Sequence, residues 1–134
     1  MANASEPEDP LGELRWKARV LLVFSPSAGD TRSTAFLQAA DAAACAVAER
    51  DMVIGRISPA GTSFLGENTI APSDAAALRQ RFGIAPEAFR ILLVGKDGGV
   101  KGDYQRPPSL SVVFDLVDSM PMRRQEMRTR STSC

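Results

Sequence analysis

Two unbroken apolar runs dominate the hydrophobic pattern of this chain. Residues 20–24 read Val-Leu-Leu-Val-Phe, and residues 91–94 read Ile-Leu-Leu-Val. Because neither run alternates with polar residues, each predicts a strand that is buried on both faces of a sheet. Residues 51–57 are less apolar and predict a strand closer to the sheet edge. The glycine-rich turn at residues 95–99 predicts a hairpin into a short antiparallel strand at residues 100–104.

Two helices are predicted between these strands. Apolar residues at helical spacing indicate one amphipathic helix from about Ser33 to Arg50, with Cys45 inside it as a small core residue. The next helix begins with Ser73 as its N-cap. It ends at Gly83, where glycine favours the left-handed conformation of a C-cap.

A last helix follows the hairpin and begins at Ser109 as its N-cap. Its apolar stripe consists of Leu110, Val113, Phe114, Val117 and Met120. Pro121 disfavours helical geometry at the residue before it, so residues 122–127 are predicted as a separate turn or a kinked extension.

Two features of the remaining sequence carry apolar side chains that need cover. The connection at residues 58–72 is long and contains Phe64, Leu65 and Ile70, so we expect it to fold back on the core. Trp16, the single tryptophan, is expected to pack at the edge of the core.

The order of elements predicts the architecture. Right-handed crossovers make the first three strands parallel, with the fourth antiparallel beside the third. The fold class is therefore α/β, as a thioredoxin-like three-layer α/β/α sandwich with a mixed sheet, a C-terminal β-hairpin and a final helix. A flavodoxin-like sheet is the alternative, and it needs a further parallel strand in place of the hairpin.

Length and charge suggest a single domain between charged ends. The 134 residues include 16 basic and 16 acidic side chains, so no net charge favours nucleic acid or a membrane surface. We predict a flexible acidic tail at 1–12, the domain at 13–122 and a basic extension at 123–134. No membrane span or signal peptide is recognisable. The expected location is cytoplasmic by default, or periplasmic or secreted if an export signal was removed.

The composition excludes several kinds of catalytic site. The chain has no histidine, which removes Ser-His-Asp and Cys-His catalysis and histidine metal sites. Its two cysteines, Cys45 and Cys134, form no CxxC pair or zinc cluster. No pair of carboxylates has a spacing that indicates a shared site. We therefore predict no cofactor and no metal.

The best positional candidate for a site is the polar turn after the first strand, because α/β sheets bind ligands at the carboxyl ends of their strands. Thiol enzymes of thioredoxin-like fold need a thiolate at the start of the next helix, and serine does not replace it without a strong base nearby. We therefore predict a non-catalytic interaction module that binds a protein or a small anionic ligand. The tentative ligand-binding residues are Ser25, Ser27, Asp30, Thr31 and Arg32.

Two other functions stay open. A thiol-dependent oxidoreductase or peroxiredoxin-like enzyme would use Cys45 or Cys134. Alternatively, the basic C-terminal residues contact nucleic acid or an acidic partner, although the neutral total charge and the lack of interleaved aromatic residues disfavour nucleic acid. These basic residues are Arg123, Arg124, Arg128 and Arg130.

Three segments carry a family resemblance: residues 19–27, residues 92–101 and residues 120–127, the last reading Met-Pro-Met-Arg-Arg-Gln-Glu-Met. Together they resemble an uncharacterised bacterial domain family that is also repeated in a vertebrate coiled-coil-domain matrix protein. The match covers about residues 11–128. The resemblance implies a thioredoxin-like fold with no established reaction and, in the matrix protein, an association with adhesion and extracellular partners.

Overall fold

A mixed sheet of six strands forms the centre of the computed structural model, which describes residues 10–130. The strands are β1 (Arg19–Phe24), β2 (Met52–Ile57), β3 (Ser63–Leu65), β4 (Asn68–Ile70), β5 (Arg90–Val94) and β6 (Val100–Tyr104). They lie side by side in the order β4-β3-β2-β1-β5-β6. The two apolar runs of the sequence are therefore neighbouring central strands.

Within the described residues, the sheet is accompanied by five α-helices and one short 3-10 turn at Gly12–Leu14. The helices are α1 (Thr31–Ala42), α2 (Ala44–Glu49), α3 (Pro72–Phe82), α4 (Leu110–Asp118) and α5 (Pro121–Thr129). The α/β class, the mixed sheet and the hairpin from β5 into β6 are confirmed. No helix within residues 10–130 has the length and apolar character needed to cross a membrane.

The direction of β5 differs from the prediction. β1 and β2 are parallel, but β5 is antiparallel to β1, with Arg90 opposite Phe24. The prediction that the first three strands are parallel is therefore wrong for the third. The seven residues between α3 and β5 are long enough to carry the chain back along the sheet, so β5 enters from the opposite end.

The long connection at residues 58–72 folds back as predicted. It forms the β3-β4 hairpin, which extends the sheet beside β2, and its Leu65 and Ile70 are buried. Gly55 allows the close approach of the hairpin, because a Cβ there would lie 3.0 Å from the carbonyl oxygen of Phe64.

Helices cover both faces of the sheet. α3 packs on one face through Ala75 and Leu78, beside the inward-facing residues of β1 and β5. The other face is covered by Phe36 of α1 and by Val113 and Val117 of α4. The apolar stripe predicted for α4 is the face that packs here, and Ser109 caps this helix by accepting a hydrogen bond from the Val112 N–H.

Two details of the predicted helices are wrong. The helix expected from Ser33 to Arg50 is interrupted at Ala43, and the second part turns Val47 inward and leaves Cys45 exposed rather than in the core. α3 starts two residues earlier than expected, with Ala71 rather than Ser73 at the N-cap position and proline at the first helical position, where its missing N–H costs nothing. The left-handed C-cap at Gly83 is confirmed.

Trp16 does not pack at the edge of the core. Its side chain is 60% exposed, and its backbone lies in the left-handed region at φ +68°. The Trp16 N–H donates to the carbonyl oxygen of Lys96 at 2.6 Å, which ties this conformation to the turn after β5.

The described parts of the two predicted ends contribute to the packed structure. Leu11 is buried in the core on the α3 side. Pro121 does separate this segment from α4, but residues 121–129 form an α-helix rather than the predicted turn or kinked extension, and Arg123 is only 2% exposed. Residues 1–9 and 131–134 of the predicted tails lie outside the described residues.

Candidate functional site

The residues predicted to bind a ligand lie together at one end of the sheet. Ser25 directly follows β1, and Asp30 is the N-cap residue of α1, so the loop between them joins the carboxyl end of β1 to the helix. Ser27, Thr31 and Arg32 are at least partly exposed along this loop and the first helical turn. Four of the five residues are thus at least partly exposed on this loop, whereas Ser25 is buried beneath it.

Asp30 occupies the start of α1. Its carboxylate accepts hydrogen bonds from the Arg32 N–H at 3.0 Å and from the Ser33 N–H at 3.1 Å. It also accepts bonds from the Arg32 guanidinium, at 3.2 Å from Nε and 2.8 Å from Nη2. The hydrogen bond from the Arg32 side chain is the main reason why the pKa of Asp30 is lowered, with the two backbone N–H groups adding to it. Asp30 is therefore a carboxylate at neutral pH.

Arg32 is held in place between Asp30 and an aromatic ring. Its guanidinium carbon lies 4.5 Å from the centroid of the Phe89 ring, a distance at which the cation is attracted to the ring face. The side chain remains 49% exposed, and its pKa is raised by the hydrogen bond to Asp30. The result is an oriented guanidinium at the protein surface.

Ser25 is not placed to act as a nucleophile. The residue is buried, and its hydroxyl donates to the carbonyl oxygen of Ser27. An activated serine needs a base that accepts its proton, and this hydrogen bond goes instead to a neutral carbonyl group. The Ser25 hydroxyl therefore stabilises the turn.

A second arginine ties this loop to the β2-β3 connection. Arg56 donates from Nη1 to the carbonyl oxygen of Ala28 at 3.5 Å and from Nη2 to that of Thr62 at 2.7 Å. The two connections also approach each other closely, because a side chain on Gly61 would lie 3.0 Å from the Cβ of Ala28. The loops at this end of the sheet therefore form one packed surface.

A cluster of buried charges at the opposite end of the sheet was not predicted. Glu126 of α5 accepts two hydrogen bonds of 3.1 Å from Arg19, which is 1% exposed, and one of 2.8 Å from the Lys96 ammonium group. Lys96 also donates to Asp51 at 2.7 Å. Burial opposes the ionisation of Glu126, but the hydrogen bonds from Arg19 and Lys96 outweigh it, so its pKa is lowered.

The cluster continues along α4 and α5. Arg123 donates from Nε to Asp118 at 3.0 Å and from Nη2 to Glu49 at 3.2 Å. Arg50 makes a paired contact with the same Asp118, at 3.1 and 2.9 Å. Arg130 pairs with Asp51 on the outer side. Arg123 and Arg130, both suggested as contacts to an acidic partner, are thus already matched by carboxylates within the chain.

The three segments that carry the family resemblance meet in this cluster. Arg19 comes from the first segment, Lys96 from the second, and Arg123 and Glu126 from the third. The sequence does contain a signal for this cluster. Arg19 and Lys96 each flank an apolar strand, and the Arg123-Glu126 spacing of three residues places both on one face of a helix. The cluster holds α5 against the sheet and pairs each of its buried cations with a carboxylate, which indicates a structural role.

A profile of the family described as a domain of unknown function, DUF4174, matches residues 10–126. The chain belongs to the DUF4174 family. Its relationship to a vertebrate coiled-coil-domain protein, expected from the three segments, is confirmed by a match to Coiled-coil domain-containing protein 80 of Danio rerio. The two are 33% identical over 138 residues, covering 90% of this chain and 16% of the relative. The DUF4174 chain thus spans about one sixth of that relative.

Two solved structures resemble the DUF4174 chain in fold. Reduced 2-Cys peroxiredoxin of Plasmodium vivax superposes with a TM-score of 0.67 at 14% identity, covering 86% of this chain and 84% of that one. Thioredoxin peroxidase I of Plasmodium yoelii gives 0.60 at 15% identity, covering 90% and 82%. The thioredoxin-like fold is thereby confirmed. At such low identity the similarity describes the fold alone.

Neither a thiol site nor a metal site is assembled by the described residues. Cys45 lies in α2, roughly 20 Å along the helical path from Asp30 at 1.5 Å per residue, and its sulfur is disulfide-bonded. Cys134 lies outside the described residues. Within residues 10–130, no three acidic or cysteine side chains are grouped closely enough to hold a metal ion.

Proposed function

We propose that this DUF4174 domain is a non-catalytic binding module whose ligand surface is the loop from Ser25 to Arg32. The exposed Arg32 guanidinium supports the binding role most directly, and the carboxylate of Asp30 at the start of α1 supports the absence of catalysis. N–H groups at the start of a helix can stabilise a reacting anion. Here the N–H groups of Arg32 and Ser33 already donate to the Asp30 carboxylate, so they are not available for that role.

The chemistry of the loop supports binding rather than reaction. Asp30 has a lowered pKa, so it carries no proton to donate at neutral pH. Its lone pairs are engaged by Arg32 and by backbone N–H groups, which leaves it a weak general base. The Ser25 hydroxyl is bonded to a carbonyl oxygen. None of these groups supplies an activated nucleophile.

The proposed ligand carries a small anionic group, such as the carboxylate of an acidic peptide. Asp30 contacts Nε and Nη2 of Arg32, so the N–H groups of Nη1 are left to bind a ligand. The Phe89 ring holds the guanidinium plane, which reduces the entropy lost on binding. Thr31 is exposed in the first turn of α1, and its hydroxyl is a further donor on this surface.

An NMR titration of the full chain with phosphate, sulfate and acidic peptides tests this proposal. Binding is expected to shift the amide signals of Ser27 and Thr31 and the side-chain signal of Arg32, and Arg32→Gln is expected to abolish these shifts. Arg124→Gln is the matched control, because it removes the same charge from an exposed helix position. Unchanged Ser27 and Arg32 signals in the presence of all three probes would contradict the proposal.

The absence of catalysis is tested separately with both cysteines replaced by serine. Insulin reduction and peroxide turnover by the native chain are expected to equal the buffer rate, and Cys45→Ser with Cys134→Ser is expected to change neither. A rate above buffer that this double variant loses would favour the thiol-enzyme alternative.

A further inference from the structure

A cavity of about 300 Å³ lies under the start of α3, on the side of the β2-β3 connection. The described residues that line it include no aspartate or glutamate. They are Ser58, Pro59, Gly61, Thr62, Ser63, Thr69, Ile70, Pro72 and Arg79. Its volume is in the range of small-ligand sites, and its only charged side chain is basic.

Arg79 gives this cavity an unbalanced positive charge. Its Nη1 is buried and has no hydrogen-bond partner among residues 10–130, and no carboxylate in that range forms an ion pair with it. Because helical side chains lean toward the helix N-terminus, Arg79 extends along α3 toward Pro72, seven residues before it on the same face. A guanidinium N–H that is removed from water without an acceptor is costly.

The other polar side chains of the cavity are hydroxyl groups, which can donate hydrogen bonds. The Ser63 hydroxyl donates to the Ser58 carbonyl oxygen at 3.2 Å and accepts from the Ser58 N–H at 2.9 Å. The hydroxyl groups of Thr62 and Thr69 have no partner among the described residues, so both are left to donate to a ligand. Arg79, Thr62 and Thr69 together therefore match a group that only accepts hydrogen bonds.

We propose that the cavity beneath α3 binds a small oxyanion, a carboxylate or phosphate group, through the Arg79 guanidinium and the Thr62 and Thr69 hydroxyls. An oxyanion supplies the acceptor that Arg79 Nη1 lacks and neutralises its charge. This site is separate from the loop of Ser25 to Arg32 and does not depend on the proposed function of that loop.

The test is a titration of the full chain with inorganic phosphate, acetate and an N-acetylated peptide with a free C-terminal carboxylate, at constant ionic strength with chloride as reference. The Thr62 and Thr69 amide signals and the Arg79 side-chain signal are expected to shift with at least one probe. Shifts with phosphate alone identify a phosphate site, and shifts with acetate and the peptide identify a carboxylate site. The same peptide with an amidated C-terminus serves as a control and is expected to bind no better than chloride.

Arg79→Gln is expected to weaken binding roughly tenfold or more, the usual effect of losing a hydrogen bond to a charged group. Arg124→Gln is expected to bind as the native chain does. Thr69→Val, at an exposed position, keeps the test valid if Arg79→Gln does not fold, and it is expected to weaken binding in the same direction. Arg32→Gln is expected to leave the Thr62 and Thr69 shifts intact, which separates the two sites. Equal shifts in Arg79→Gln and the native chain, or no shift with any probe, would overturn the proposal.

Discussion

Lys96 and Glu126 are 30 residues apart in the sequence, and the Lys96 ammonium group donates to a Glu126 carboxylate oxygen at 2.8 Å inside the protein. Arg19, 107 residues from Glu126, completes the contact with two hydrogen bonds to the same carboxylate. This relationship connects the start of β1, the end of β5 and the last helix. It explains why α5, although rich in charged residues, packs against the sheet.

Glu126→Gln is expected to destabilise the domain by about 3 kcal/mol, because it leaves the buried Arg19 without its countercharge and removes one of the two carboxylates that pair with Lys96. Urea unfolding followed by circular dichroism measures the loss. Glu67→Gln is the matched control, since Glu67 is exposed on the β3-β4 turn and its loss is expected to change the unfolding free energy little. Equal stabilities of the two variants would contradict a stabilising role for the cluster.

Acid is expected to weaken the same cluster. The pKa values of Glu126, Asp51 and Asp118 are lowered because hydrogen bonds from arginine and lysine outweigh the opposing effect of burial. The unfolded chain then binds protons more readily, so their contribution is complete above their ordinary pKa values of 4.5 and 3.8. It is lost as the pH falls through the lower folded values.

Urea unfolding at a series of pH values between neutral and strongly acidic measures this dependence. The unfolding free energy is expected to decrease from about pH 4.5 downward. Glu126→Gln is expected to flatten part of the decrease, because one of the titrating groups is gone. A curve that is the same for the variant and the native chain would show that Glu126 does not contribute.

Replacing the N-cap of α1 separates its capping role from its charge. Asp30→Ala is expected to cost about 1 kcal/mol of stability, since two backbone N–H groups lose their acceptor. Asp30→Ser keeps a capping oxygen and is expected to retain most of the stability. Thermal unfolding of the two variants measures the difference. If both were equally unstable, the charge of Asp30 rather than its capping bond would be the important property.

The left-handed backbone at Trp16 predicts that a glycine variant is more stable than an alanine variant, the reverse of the usual order. Trp16→Gly is expected to be more stable than Trp16→Ala by about 1 kcal/mol, because glycine adopts a positive φ without a Cβ clash. Urea unfolding of the two variants gives this difference directly. The native tryptophan is also expected to be readily quenched by iodide, since its side chain is exposed. A more stable alanine variant would contradict the positive φ.

The elements that the sequence predicted well depend on local patterns. β1, β5 and α4 were recognisable because their apolar residues are consecutive or recur at helical spacing, and the caps at Ser109 and Gly83 act within a few residues. The polar loop after β1 was placed by the general position of ligand sites in α/β sheets. Its five predicted residues do lie together, and their binding role stays a prediction.

What the sequence did not predict depends on distant contacts. The direction of β5 follows from how the chain returns after α3, which no local pattern records. No role was predicted for Arg19, Lys96 or Glu126 from the sequence, because pairing across 30 to 107 residues leaves no periodic signal. The exposure of Cys45 results from a single interruption at Ala43 in an otherwise regular helical pattern.

The final helix also bears on how this domain should be cut from longer relatives. The family match stops at residue 126, inside α5, whereas the Arg130 guanidinium still contacts Asp51. A fragment that ends at residue 126 would have Glu126, which pairs with Arg19 and Lys96, at its frayed C-terminus. A fragment that ends before Pro121 would lack Glu126 altogether. A fragment that contains the matching domain of a longer relative should therefore extend to at least the equivalent of residue 130.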